Sequence, residues 1–142
     1  MHKKVIVDNR VNKNLSGLIN LFHFVNTVIK KESKHIIELG SFIGTSTKLF
    51  SEYFPQSTIF AIDMWKNDFD LNDPICQFDM KTAERMFDQN IKKCKNIIKI
   101  KMNTNNFCKI LKNNFFDFIY IDANHSYEGC LMDIKNYFPK SK

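Results

Sequence analysis

The residues able to do chemistry in this chain stand where short apolar runs stop. Glu38, Gly40, Ser41 and Gly44 close the run His35–Leu39, and Asp63 and Trp65 follow Thr58–Ile62. Asn103 and Thr104 follow Ile97–Met102, and Asp122, Asn124 and His125 follow Phe116–Ile121. In Glu38-Leu39-Gly40-Ser41-Phe42-Ile43-Gly44-Thr45-Ser46 the glycines permit a sharp turn and let a ligand approach the peptide plane. A helix starting there offers unpaired N–H groups to a polar or anionic group. Asp63, about twenty residues further on, is placed to accept hydrogen bonds from both hydroxyls of a ribose. Glycine turn and acidic strand end together read as a nucleoside site, whereas Gly-x-x-x-Gly alone is a plain strand-to-helix turn. The dinucleotide pattern Gly-x-Gly-x-x-Gly is not met, because Phe42 stands where a second glycine would admit a pyrophosphate. NAD is thereby disfavoured, and Glu38 suits a cationic amino-acid moiety better than a diphosphate.

The elements that must hold these residues follow from periodicity. Leu15, Leu18, Ile19, Phe22, Val25 and Ile29 recur at three- and four-residue spacing, which predicts an amphipathic helix over Asn14–Lys31. Strands are expected at His35–Leu39, Thr58–Ile62, Ile97–Met102 and Phe116–Ile121. Helices are expected over Ser46–Phe54, along Met80, Ala83, Phe87, Ile91 and Cys94, over Phe107–Leu111, and along Tyr127, Cys130, Leu131, Ile134, Tyr137 and Phe138. Ser126 is the expected N-cap of the last helix. Strict alternation of strands and helices argues for a parallel sheet covered on both faces, since parallel neighbours need crossover connections. Ligands bind such sheets beyond the carboxyl ends of the strands.

Composition narrows the class. One domain fits in 142 residues, and 44% hydrophobic with 25% charged residues is an ordinary globular balance. No apolar run is long enough to span a bilayer or to form a signal peptide, so a cytoplasmic address and no membrane partner are expected. Cys76, Cys94, Cys108 and Cys130 show neither paired spacing nor a zinc pattern and read as reduced core thiols. The net charge of +6 raises a nucleic-acid-binding module as one reading, but only two of the 21 basic residues, Arg10 and Arg85, are arginine and the lysines are dispersed. Nucleic acid is not the expected partner.

At this point the chain resembles a known family. Glu38–Ser46 looks like motif I of class I S-adenosylmethionine-dependent methyltransferases, in the variant with an aromatic residue at the middle glycine position. Ala61-Ile62-Asp63-Met64-Trp65-Lys66-Asn67-Asp68 is similar to an Ile-Asp-x-Trp-x-x-Asp segment of a subgroup acting on sugars and natural products. Asp117–Gly129 is similar to that subgroup's strand-four motif, Ile-Asp-x-x-His-x-Tyr. The resemblance covers about residues 15–139.

It implies a Rossmann-like doubly wound sheet of order 3-2-1-4 and an O-methyltransferase of a small molecule or sugar hydroxyl, using S-adenosylmethionine. By resemblance, Gly40, Ser41 and Gly44 lie along the methionine part of the cofactor. Glu38 helps hold its amino group, Asp63 takes the ribose, and Trp65, Asn103 and Thr104 border the adenine. Asp122 matches the acidic residue that ligates magnesium in metal-dependent members. His125 on the same loop then reads as a general base, with the catalytic pair Asp122 and His125 acting on the substrate hydroxyl. The alternative is that Asp122 only ties the loop and His125 only helps start the last helix. The family's strands five to seven, with a second acidic cluster, do not follow Phe138-Pro139-Lys140-Ser141-Lys142. The expectation is therefore a partial methyltransferase domain over residues 1–142, its strand four an open edge for a homo-oligomer or a complementary chain. The runner-up reading is a catalytically silent domain that binds the cofactor or a partner.

Overall fold

The computed structural model describes residues 17–20, 23, 27, 34–66 and 77–142. In order come β1 (His35–Leu39), α1 (Thr45–Tyr53), β2 (Thr58–Asp63), α2 (Met80–Ile91), β3 (Ile97–Lys101), α3 (Thr104–Ile110), β4 (Phe118–Ile121) and α4 (Tyr127–Tyr137). A 3-10 turn, Phe138–Lys140, follows α4. The strands form one parallel sheet of order β3-β2-β1-β4, as expected. Residues 17–20, 23 and 27 are helical, in accord with the first amphipathic segment. Leu15, Phe22, Val25, Ile29 and Cys76 lie outside the described residues.

The sheet is apolar because both of its faces are covered. Side chains alternate across it, so Ile36 and Ile59 pack with Phe50 and Phe54 of α1 on one face. On the other face Ile37, Leu39 and Ile62 pack with Phe107 and Cys108 of α3 and Tyr137 of α4. Ala61 joins Met80, Ala83 and Phe87 of α2 in a third cluster with Ile43 and Trp65. β3 lies at one edge, where Lys99 pairs with Asp88 at 2.7 Å and Glu84 at 3.0 Å. Charged side chains along an edge strand oppose pairing with other chains.

Three boundaries differ from the periodicity. α3 begins at Thr104 rather than near Phe107, because the Asn103 side chain caps it by accepting from Asn105 N–H at 2.8 Å. β4 begins at Phe118, since Phe116 pairs instead with Ser141 in a parallel bridge. The stripe expected along α4 is not a buried one: Tyr127 and Phe138 are each 77% exposed, and the buried residues are Asp133 and Tyr137. The helix is rotated about its axis so that a carboxylate, not Ile134, meets the sheet side. Ser126 caps α4 as expected, its Oγ accepting from Gly129 N–H.

Candidate active site at the carboxyl ends of the strands

The turn after β1 is built by two left-handed glycines, Gly40 at φ 87° and Gly44 at φ 79°. A Cβ on Gly40 would stand 2.2 Å from the Asp122 carbonyl oxygen and 2.6 Å from Ala123 Cα. This glycine therefore lets the β1–α1 turn lie directly against the end of β4. Gly44 is the N-cap of α1, without a side-chain capping bond. Asn90 of α2 donates to the Ile43 carbonyl at 2.7 Å and fixes the turn from the other side.

Alternation along β1 sends Glu38 to the same face as Ile36, toward α1. Its carboxylate accepts from the hydroxyls of Ser46 and Thr47 in the first turn of that helix. Glu38 is fully buried, and burial pushes its carboxyl up to about 7 against the opposing effect of those hydroxyl bonds. Ser41 is 2% exposed beside it, and its Oγ meets no partner at full hydrogen-bond geometry. A raised carboxyl means the folded state holds a proton that the unfolded chain has released. That contribution to stability, on the order of 3 kcal/mol at most, is complete below pH 4.5 and lost as pH rises through about 7. Thermal unfolding of the wild type should thus weaken between pH 5 and 7.5, and Glu38→Gln should flatten that slope. An unchanged slope in the variant would show that another group carries the titration.

Asp63 ties the two loops together. Its Oδ2 accepts from Phe42 N–H at 2.9 Å and its Oδ1 from Trp65 N–H at 2.7 Å. Phe42 and Trp65 both adopt positive φ, 43° and 49°, a conformation costly for residues with a Cβ. The Trp65 indole N–H closes the arrangement by donating to the Phe42 carbonyl at 2.8 Å. Burial holds the Asp63 carboxyl above its ordinary value, and the backbone N–H groups partly offset this. Trp65 is 4% exposed and packs edge-on against Phe87, with the Lys99 ammonium 4.8 Å from its ring centre. Its ring belongs to the core beneath the loops.

A cleft of about 780 Å³ runs across the strand ends. Gly40, Asp63, Asn103, Thr104, Asp122 and His125 of the expected site all line it, whereas Glu38, Ser41, Gly44 and Trp65 lie behind its wall. Met64, Met80, Met102 and Ile62 supply apolar surface, with Asn103 Nδ2 in contact with Met64 Sδ at 3.3 Å. Asp122 and His125 sit at the mouth, half-exposed, with His125 Nε2 3.1 Å from Asp122 Oδ1. Two functional candidates escaped the sequence reading. Asn90 acts through a backbone carbonyl and leaves no motif, while Asp133, buried and lining the cleft, was hidden by its place inside an apparent apolar stripe.

Asp122 was also the expected magnesium ligand. A hard divalent ion needs several oxygen ligands, and among the described residues no three His, Cys, Asp or Glu side chains converge. The donor set does not fit a resident magnesium ion, and no step is routed through one.

A parallel sheet of this order with a cleft across its carboxyl ends defines a Rossmann-like α/β domain of the methyltransferase kind. The chain belongs to the methyltransferase-domain family, whose sequence profile matches residues 37–142. No curated protein matches the chain in sequence. Among solved structures it is similar to a Staphylococcus aureus protein provisionally named caffeoyl-CoA O-methyltransferase. The TM-score is 0.64 at 16% identity, with 99% of this chain and 68% of that one covered. It is also similar to the O-methyltransferase TomG of Streptomyces achromogenes, involved in tomaymycin synthesis and solved with S-adenosylmethionine (0.57, 14%, 86% and 49%). A third is Aeropyrum pernix fibrillarin with natively bound S-adenosyl-L-methionine (0.54, 16%, 78% and 42%). The chain thus spans about two thirds of the first of these and under half of the others. Among the described residues no helix is long and apolar enough to cross a membrane.

Proposed function

We propose that this chain binds S-adenosylmethionine in the cleft and serves methyl transfer to a hydroxyl oxygen of a small molecule or sugar. The observation that carries the reading is the Asp63 carboxylate at the lip of the Gly40 turn, between an apolar wall and the Asp122–His125 pair. The cofactor supplies a methyl group on a sulfonium, which an oxygen nucleophile can take in one displacement. Asp63 suits the ribose hydroxyls, and Asn103 and Thr104 with Met64 and Met102 suit the base. The unsatisfied Ser41 hydroxyl and the carboxylate of Glu38 behind the turn suit the polar amino-acid end. His125, oriented by Asp122, accepts the substrate's hydroxyl proton, and the cleft holds donor and acceptor in line, which supplies most of the acceleration in such a transfer.

Because both groups of the pair are half-exposed, His125→Ala and Asp122→Asn should leave the melting temperature nearly unchanged. Turnover on a hydroxyl acceptor should fall about 100-fold or more. Variants that bind S-adenosylhomocysteine normally and turn over at the wild-type rate would remove the pair from catalysis; variants that unfold would make it structural.

The second reading, a partner-binding domain, is favoured by the edge of β4. Among the described residues Phe118–Ile121 pair with β1 alone, and Ile134 and Phe138 are exposed on the neighbouring helix and the turn after it. Such an edge accepts a further strand. Sedimentation velocity over a tenfold concentration range should show association, through a second copy or an added chain, and a stable monomer throughout would dispose of this reading.

A further inference from the structure

Asp133 is a carboxylate in the second turn of α4, 3% exposed, yet part of the cleft lining. Its one bond to a described residue runs from the Thr104 hydroxyl to Oδ1, at 2.8 Å. The surrounding polar groups are spent on holding α4 to the start of α3: Tyr137 OH donates to the Thr104 carbonyl at 2.8 Å, and Asn136 Nδ2 to Asn105 Oδ1 at 2.7 Å. An ionised carboxylate offers about four acceptor sites and no donor, so one hydroxyl leaves most of its capacity unmet. A buried charge in that position is costly unless a donor reaches it, and burial indeed raises its proton affinity.

We infer that Asp133 reads the exocyclic amino group of the adenine ring and makes the cleft selective for an adenine over a 6-oxopurine nucleoside. The inference rests on the cofactor reading above and adds the residue that discriminates the base. Thr104 and Asn103, which adjoin Asp133, lie with Met64 and Met102 in the part of the cleft suited to a flat apolar ring. The ribose end is already taken by Asp63, and the carboxylate end of the methionine moiety would be repelled by Asp133. A primary amino group donates to an acceptor-only carboxylate. The carbonyl that replaces it in hypoxanthine faces the same carboxylate with a lone pair, leaving both acceptors unpaired.

The test compares S-adenosylhomocysteine with S-inosylhomocysteine by calorimetry at pH 7.5 on the full chain. Wild type should bind the adenine compound at least tenfold more tightly, and Asp133→Asn, whose amide can also donate, should lose most of that preference. Equal affinity of the wild type for both compounds overturns the assignment whether or not the variant folds. An equal weakening of both ligands by Asp133→Asn also overturns it and makes Asp133 a structural clamp between α3 and α4. Failure of the folded wild type to bind either compound strikes the cofactor reading itself, a result distinct from equal binding.

Discussion

Replacing Gly40 by alanine is expected to be among the most damaging single changes in this chain, costing about 2–5 kcal/mol of stability together with loss of cofactor binding. Two independent effects add. Any residue with a Cβ is strained at φ 87°, and this Cβ would overlap the Asp122 carbonyl at 2.2 Å and Ala123 Cα at 2.6 Å. Both obstacles are backbone atoms at the end of β4, which is hydrogen-bonded to β1 through Asp122 N–H and the Leu39 carbonyl at 2.8 Å. Neither can swing aside as a side chain would. Gly17 serves as the control, because it is helical and nothing lies within 4 Å of where an added methyl group would stand. Gly17→Ala should be neutral or stabilising by up to about 1 kcal/mol. Urea unfolding of the two variants checks the contrast; a Gly40→Ala protein within about 0.5 kcal/mol of wild type would mean that the turn relaxes away from β4.

Asp63→Ala should damage both fold and site. The substitution leaves the Phe42 and Trp65 amides without their acceptor, and each unsatisfied buried donor costs about 1–3 kcal/mol. It also releases two left-handed loop residues that this clamp and the Trp65–Phe42 bond hold in register. Trp65 is the chain's single tryptophan, so its emission reports the clamp directly and should shift to the red as the indole gains water. Binding of S-adenosylhomocysteine should weaken at least tenfold, the scale of a lost hydrogen bond to a charged group. Asp63→Asn, keeping one acceptor oxygen, should fall between the two. An Asp63→Ala protein with native emission and undiminished binding would show that Asp63 neither clamps the loops nor meets the ribose.

How much of this could be read from the sequence depends on the distance over which each contact acts. Buried parallel strands read as continuous apolar runs, so β1, β2 and β4, their order and the acidic residues at their ends were accessible without coordinates. The turn glycines were accessible too, since positive φ selects glycine locally. The S-adenosylmethionine reading came from three motifs that each lie within one turn or strand end.

Where those side chains point and what they touch became visible only in the folded chain. Glu38 looked like a cofactor contact, but the two-residue alternation of β1, once its face toward α1 is known, delivers its carboxylate to Ser46 and Thr47. Trp65 looked like an adenine border, but its left-handed backbone turns the indole into the core against Phe87. Asp133 sat unnoticed in a helical stripe until packing rotated α4 and set it against Thr104, a residue far away in sequence. The sheet, the turn and the acidic strand ends are written into the amino-acid order, because they rest on local periodicity and backbone preference. The division between cleft and core belongs to the packing of α2, α3 and α4, because it rests on contacts between segments that no local pattern links.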